Sequence, residues 1–360
     1  MPEIWLSYGI TDVVLDIKAE NLDQEIKPQG NVLSEPEITS RIEQLDTSKP
    51  IELVILNNSK SVQKIISLLF EKCNQQSVTK PCILVDKSMI ASLKNIVPEG
   101  AEISQFDDME LSNSNLVFIH EMEFDGLFGF DTISTDLLRK FGQEQMLSAF
   151  QKRKNNLPSP GEDTDSLKIA QEFSNKFEIS AIEVVANSDG IVDLSIGHPS
   201  NTMSISKSLL SIAKNEVGKH RTMIISTGKE SSNNSLSKSL SSLWNCFPAI
   251  KEQGLAILLA ECKNGIGSHS IQQYIEGRMS LDRLKNPAKY IDGMDDLLFL
   301  TEIGKKFEIG IISVLPEVYT KKLGMISFNG VKFALDHILK NQGARQKVAV
   351  VPDGARVLLR

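Results

Sequence analysis

The sequence is poor in the residues that most often announce chemistry. Its 360 residues include four cysteines and five histidines. Cys73, Cys82, Cys246 and Cys262 never stand as a C-x-x-C pair. That leaves no zinc-ribbon or disulfide framework and fits reduced thiols in a cytoplasmic protein. No two of His120, His198, His220, His269 and His337 share the H-x-x-x-H spacing of a zinc-binding helix, so no metal site is expected. Basic residues number 39 against 46 acidic ones, a net charge of −7. Nucleic acid, which calls for a basic surface against phosphates, is not an expected partner. No apolar run nears the ~20 residues of a membrane-spanning helix. The opening Met1-Pro2-Glu3-Ile4-Trp5 has neither the basic start nor the apolar stretch of a secretory signal. The expectation is a cytoplasmic protein without a membrane partner. There is no G-x-S-x-G elbow and no Walker loop.

What the chain does have is a repeated alternation of short apolar runs and helical periodicity. Leu53 to Leu56, Pro81 to Val85 and Leu116 to Ile119 are continuous apolar runs, as strands of a parallel sheet covered on both faces should be. Val62, Ile65, Ile66, Leu69 and Phe70 mark one face of a helix after the first. Further strands are expected at Ile182 to Val185 and Ile191 to Leu194. A second series has strands at Met223 to Ile225, Leu255 to Leu259, Glu308 to Ile312 and Val348 to Val351. Its helices are expected near Leu236 to Leu243, Ser268 to Ile275, Asp295 to Phe307 and Val331 to Leu339. The predicted class is α/β, with two domains, each a mostly parallel sheet with flanking helices, and a cleft between them. The domains are expected at 1–215 and 216–360, with the boundary near Lys214 to His220. A length of 360 residues suits two domains at roughly 100–200 residues each. Tyr8 to Ile17 alternates and predicts an antiparallel pair at a sheet edge. Gln151 to Asp165, which flips from basic to acidic across Pro158 and Pro160, predicts a solvated loop. Ser226 to Ser242 reads as a polar loop running into a helix.

Ligands of open parallel sheets sit beyond the carboxyl ends of strands, at helix N-termini. Two loops fit. Asn57-Asn58-Ser59-Lys60-Ser61 follows the first strand, where Asn and Ser serve as N-caps and Lys60 offers a charge for an anion. Glu261 to Ser268 holds Gly265 and Gly267, which permit close backbone approach, and Ser268 as a cap; Ser270 stands where a dinucleotide fingerprint has its third glycine. Glu121, Glu123 and Asp125 cluster after a strand and are candidate acid and base groups. His198 and His269 lie in loops suited to function.

Several segments resemble the nickel-pincer lactate racemase family. Ile4 to Gly9, Glu20-Asn21-Leu22 and Pro28 are similar to that family's opening hairpin and turn. Ala260-Glu261-Cys262-Lys263-Asn264-Gly265-Ile266-Gly267 is similar to its A-E-C-x-x-G-x-G loop. Leu315-Pro316, Leu323-Gly324 and Val350-Val351-Pro352-Asp353-Gly354 fit its last units. The resemblance implies two α/β domains around a ligand cleft. It also implies features this chain lacks. The D-x-T-R-P loop is replaced by Asn57 to Ser61, so a planar two-pronged carboxylate grip is lost. No histidine precedes His120, so the family's pair of bases has no counterpart there. The G-F-S-G-G-x-K segment corresponds to Phe124 to Thr132, where Asp131 or Thr132 replaces the lysine that tethers the cofactor. No nickel-binding histidine lies between His120 and His198. The family's substrate-side Gln and Lys fall near Ser237 and Leu240, with Lys238 the available amine.

The expected function is therefore binding of a small anionic metabolite, a hydroxy acid or a phosphate, in the cleft. Asn57, Ser59, Lys60, Gly265, Gly267 and Ser268 are the expected contacts. No cofactor is expected, and a nickel-pincer nucleotide only if the family chemistry is retained. The alternative is an isomerase, a racemase or epimerase of lactate or another 2-hydroxy acid, with rearranged catalytic groups. His120, Glu121, Glu123, His198 and Lys238 are its candidates.

Overall fold

Apolar strands covered on both faces pair in parallel, and two such sheets form here. The structure, a computed structural model, describes residues 3–28, 30–94, 97–98, 100–106, 115–229 and 234–360. Part of the polar loop expected within 226–242 therefore lies outside the described residues. In the first sheet Glu52–Ile55 is flanked by Cys82–Val85 and Leu116–Glu121. Ile103–Gln105 extends one side, and Ser180–Ala186 with the antiparallel Ile191–Gly197 extends the other. In the second, His220–Ser226 lies between Ile250–Leu259 and Val348–Val351. Glu308–Ile312 and Met325–Ser327 follow on one side and Leu22–Glu25 on the other, all parallel. Among the described residues no helix is long and apolar enough to cross a membrane.

Side chains alternate between faces along each strand, and this sorts the core into three. Leu53, Ile55 and Ile83 pack outward against the helix Lys60–Gln76. Ile224, Ile257 and Val350 pack outward against the helix Val331–Gln342. The inward residues of both sheets, Val54 and Phe118 from one and Met223 and Leu258 from the other, share a single continuous core with the helices Ile133–Phe141, Leu236–Cys246 and Met294–Ile303. The two halves are thus joined by apolar packing.

Two expectations need correction. The hairpin Glu3–Tyr8 and Thr11–Asp16 forms, turning at Gly9, whose positive φ of 59° suits the first central position of a tight turn. It extends no sheet edge, however. Its apolar side, Ile4, Leu6 and Leu15, covers the outer face of the second sheet. Alternation gave it one face to bury, and Leu22–Glu25 already takes the edge. The segment expected to be a solvated loop is in part buried at Pro158, Ser159 and Pro160. The Ser159 N–H donates to the Gly126 carbonyl at 2.8 Å and the Gly161 N–H to the Gly129 carbonyl at 2.7 Å. A side chain at Gly129 would meet the Glu162 carbonyl at 1.9 Å, so glycine is what lets the loop lie down there.

Strand order reverses between Glu52–Ile55 and Leu116–Glu121 in one sheet and between His220–Ser226 and Val348–Val351 in the other. At the first reversal Asn57 closes the crevice: its Nδ2 donates to the Glu121 carbonyl at 3.0 Å and its Oδ1 accepts from the Glu121 N–H at 3.1 Å. From the second, Arg356 reaches back and donates to Glu121 Oε1 at 2.9 Å, with the two side chains 13% and 2% exposed. Removing one member of a buried pair strands the other's charge. Arg356→Met should therefore cost about 3–5 kcal/mol in denaturant unfolding, and adding Glu121→Leu should recover at least half of it. A loss below about 1 kcal/mol, the scale of an exposed pair, would contradict this role.

Candidate functional site

Two fully buried ionisable side chains lie on the inner face of the first sheet. His120 on Leu116–Glu121 and Glu183 on Ser180–Ala186 are register partners, both on the inner face and 1% and 0% exposed. After His120 the chain forms a small hairpin, Glu123–Asp125 with Gly129–Asp131, and enters the helix Ile133–Phe141. Thr132 and Thr135 cap it reciprocally, each side chain bonded to the other's N–H. The capped N-terminus rests on Glu183, whose Oε1 accepts the Ile133 N–H at 2.8 Å. This places Asp136 Oδ2 3.7 Å and Asp131 Oδ2 4.0 Å from His120 Nε2. Lys238, from Leu236–Cys246 of the other half, brings Nζ to 3.5 Å from Asp131 Oδ2 while its side chain stays 57% exposed.

A second network adjoins it. Arg139 donates to Asp125 Oδ2 at 2.8 Å and Asp295 Oδ2 at 3.0 Å, and Tyr290 Oη donates to Asp295 Oδ1 at 2.8 Å. Asp296 accepts from Ser237 Oγ and, at 3.1 Å, from Trp244 Nε1. Between the networks lies a pocket of about 130 Å³, bordered by Glu123, Asp131, Arg139, Lys238, Gly267 and Asp296.

Carboxylates outnumber cations here, so several retain protons into the neutral range. Burial, then the charge of Glu121, pushes Glu123 up to about 7. Burial, with a smaller push from the Asp131 charge, raises Glu183 to about 7 against the pull of His120. Asp296 reaches about 7 through burial and Asp295, and Asp136 about 6 through burial and Asp131. Asp131 goes the other way: burial raises it, but Lys238 and His120 outweigh that and keep it ionised. Asp131 in turn holds the Lys238 ammonium charged. Carboxyls poised near neutrality beside a fixed ammonium can accept and return protons.

A larger cavity, about 830 Å³, opens beyond the carboxyl ends of Glu52–Ile55 and Ser180–Ala186 in the first sheet and of His220–Ser226 and Val348–Val351 in the second. Lys60 and Ser61 border it from the first sheet, Gly228, Lys229 and Asp353 from the second, and Lys64 from the helix Lys60–Gln76. Lys64 pairs with Glu35, and Lys229 with Asp12 at 2.7 Å.

The expected site residues separate into three groups. Glu123, Lys238 and Gly267 border the smaller pocket, with His120 next to Asp131 on its wall. Lys60 borders the larger cavity. The remainder hold the fold: Asn57 clamps Glu121, and Ser59 Oγ caps Lys60–Gln76 by accepting from the Val62 N–H at 3.2 Å. The Gly265 carbonyl accepts from Leu236, and Ser268 caps His269–Ile275. His198 caps the turn Pro199–Thr202 through Nδ1, while Nε2 donates to the Phe177 carbonyl at 3.1 Å. His269 is 83% exposed. The two loops expected to share a ligand thus border different cavities. Sequence reading missed Asp131, Asp136, Arg139, Glu183 and Asp296. One signal was there: Glu183 interrupts the apolar Ala181 to Ala186, a costly place for a charge.

The residues present do not fit the lysine-tethered cofactor that the resemblance implies. At the tether position Thr132 is fully buried and spent on its helix cap, and Asp131 is a carboxylate. The amine that reaches this place comes from the other half and is ion-paired.

Carboxyls held near 7 in the fold, against ordinary values of 3.8 to 4.5, bind more protons folded than unfolded. Their contribution to stability is therefore fullest below about pH 4, falls as the pH rises to about 7, and is level above that. Asp296→Asn keeps the shape and the acceptor for Trp244 without the charge. It should stabilise the protein at pH 8 by on the order of 1 kcal/mol and change little at pH 5 in urea unfolding. An unchanged difference between the two pH values would contradict the assignment.

No protein-family model matches the sequence, and no curated protein matches it. Among solved structures the chain is similar to the lactate racemase apoprotein from Thermoanaerobacterium thermosaccharolyticum, with a TM-score of 0.74, 17% identity and all of both chains covered. It is also similar to a protein from Thermotoga maritima, with a TM-score of 0.64, 10% identity, and 90% of this chain and 97% of that one covered. At these identities the likeness is one of fold, and over its full length the protein has the two-sheet α/β fold of the lactate racemase apoprotein.

Proposed function

We propose that the protein binds a small anionic metabolite, a hydroxy acid or a phosphate, in the 830 Å³ cavity between its sheets. The observation that carries this is one cavity bordered by the carboxyl-end loops of strands from both sheets, including both strands at the order reversal of the second, the place where open α/β sheets bind ligands. Lys27, Lys60, Lys64, Lys229 and Arg356 border it against three acidic residues. Lysine heads on flexible stems neutralise an anion as point charges, without the fixed geometry of an arginine fork. The lactate racemase whose fold the chain shares is named for a 2-hydroxy acid, which supports a carboxylate ligand. The four cysteines are free, in keeping with a cytoplasmic setting.

A second reading has one observation of its own. Glu123, titrating near 7, shares the smaller pocket with Lys238, a pairing suited to proton transfer in an isomerase acting on a 2-hydroxy acid. Thermal-shift titration with lactate and with inorganic phosphate separates the two. Binding at the cavity predicts a saturable rise in Tm, and a loss of about tenfold in affinity, or ~1.4 kcal/mol, in both Lys60→Ala and Lys229→Ala. No rise with either anion, or an unchanged response in both variants, would overturn it. Interconversion of D- and L-lactate that Glu123→Gln abolishes would establish the second reading instead.

A further inference from the structure

His120 is a buried imidazole without the partners such a group normally has. It is 1% exposed, its Nδ1 has no hydrogen-bond partner among the described residues, and its Nε2 points at Asp136 Oδ2 and Asp131 Oδ2 across gaps of 3.7 and 4.0 Å. Both gaps exceed hydrogen-bonding distance. They fall within the span of two ligands on one ion, since donors each ~2.1 Å from a first-row metal lie at most about 4.2 Å apart. One donor atom from each of His120, Asp131 and Asp136 lies within 4.8 Å of the others, so a small closure of the carboxylates would bring all three onto one ion. Beside them stands a second orphan. Glu183, fully buried and across the strand pair from His120 on the same face, has no hydrogen-bond partner for Oε2 among the described residues.

We propose that His120, Asp131 and Asp136 form a binding site for a divalent first-row transition ion such as Mn²⁺ or Zn²⁺, with Glu183 as a carboxylate in reserve behind His120. One imidazole with carboxylates favours these ions over Mg²⁺ and Ca²⁺, which take oxygen ligands throughout. Asp131 borders the 130 Å³ pocket, so the ion has an open side for water or for an oxygen of a small molecule. Lys238 occupies the cation position beside Asp131, 3.5 Å from Oδ2. Its exposed stem lets it swing away, so metal and ammonium compete for one carboxylate. The site is separate from the proposed anion cavity and does not depend on it.

The test is a titration of the metal-stripped full-length protein with Mn²⁺, read by the EPR signal of the free ion. Mn²⁺ avoids capture by the cysteine thiols. The proposal predicts one saturable site that excess Mg²⁺ does not empty. Asp136→Asn and His120→Gln should each weaken it by at least about tenfold with an unchanged far-UV CD spectrum. Asp136 is 24% exposed on a helix, which makes it the variant that retains the fold. Lys238→Met, which removes the competitor, should tighten binding. No saturable site, equal affinity in Asp136→Asn, displacement by Mg²⁺ as readily as by Mn²⁺, or weaker binding in Lys238→Met would each overturn it.

Discussion

Burying carboxylates is expensive unless cations or protons come with them, and the junction of these two sheets buries more carboxylates than it has cations to match. Arg139 serves Asp125 and Asp295, Arg356 serves Glu121, and Lys238 serves Asp131. Glu123, Asp136, Glu183 and Asp296 are left to hold protons near neutrality. The residues concerned come from both halves of the chain, so the charge balance exists only when the halves meet. The continuous apolar core brings them together, and the ion pairs then set their register.

The same economy of charge extends to two loop positions whose side chains are committed to structure. Asn57 fills the strand-order reversal of the first sheet by bonding to the Glu121 backbone with both ends of its amide. Thr132 uses its hydroxyl to cap a helix at the position where the resemblance calls for an amine. Both residues are fully engaged in holding structure. The larger cavity is bordered by lysines, and the acid-rich smaller pocket has its own set of titratable groups.

Much of the architecture was legible because it rests on local pattern. The runs Glu308 to Ile312 and Val348 to Val351 became strands with those same limits, and the amphipathic Val62 to Phe70 lies within the helix Lys60–Gln76. What was not legible depends on distant pairing. Leu22–Glu25 has a polar sequence that no strand pattern would select, and it is a strand because Val348–Val351 offers it an open edge. Pro158 to Pro160 look like solvent loop until the glycines at 126 and 129 make room for them. The site follows the same division. Glu123 and Lys238 could be singled out from the sequence, but their meeting across more than a hundred residues could not. Asp136 and Arg139 look like ordinary polar positions of a surface helix until one side of it meets His120 of the first sheet and another Asp295 of the second half.

The central claim is that buried carboxyls at this junction keep their protons at neutral pH because burial and neighbouring negative charge outweigh the few cations. The most direct measurement is a ¹³C NMR titration of the side-chain carboxyl carbons of metal-free protein, assigned by single Asp→Asn and Glu→Gln variants. Midpoints near 6 to 7 for Glu123, Asp136, Glu183 and Asp296 are predicted, with Asp131 already ionised at the start of that range. Four midpoints at the ordinary carboxylate values, around 4, would contradict it.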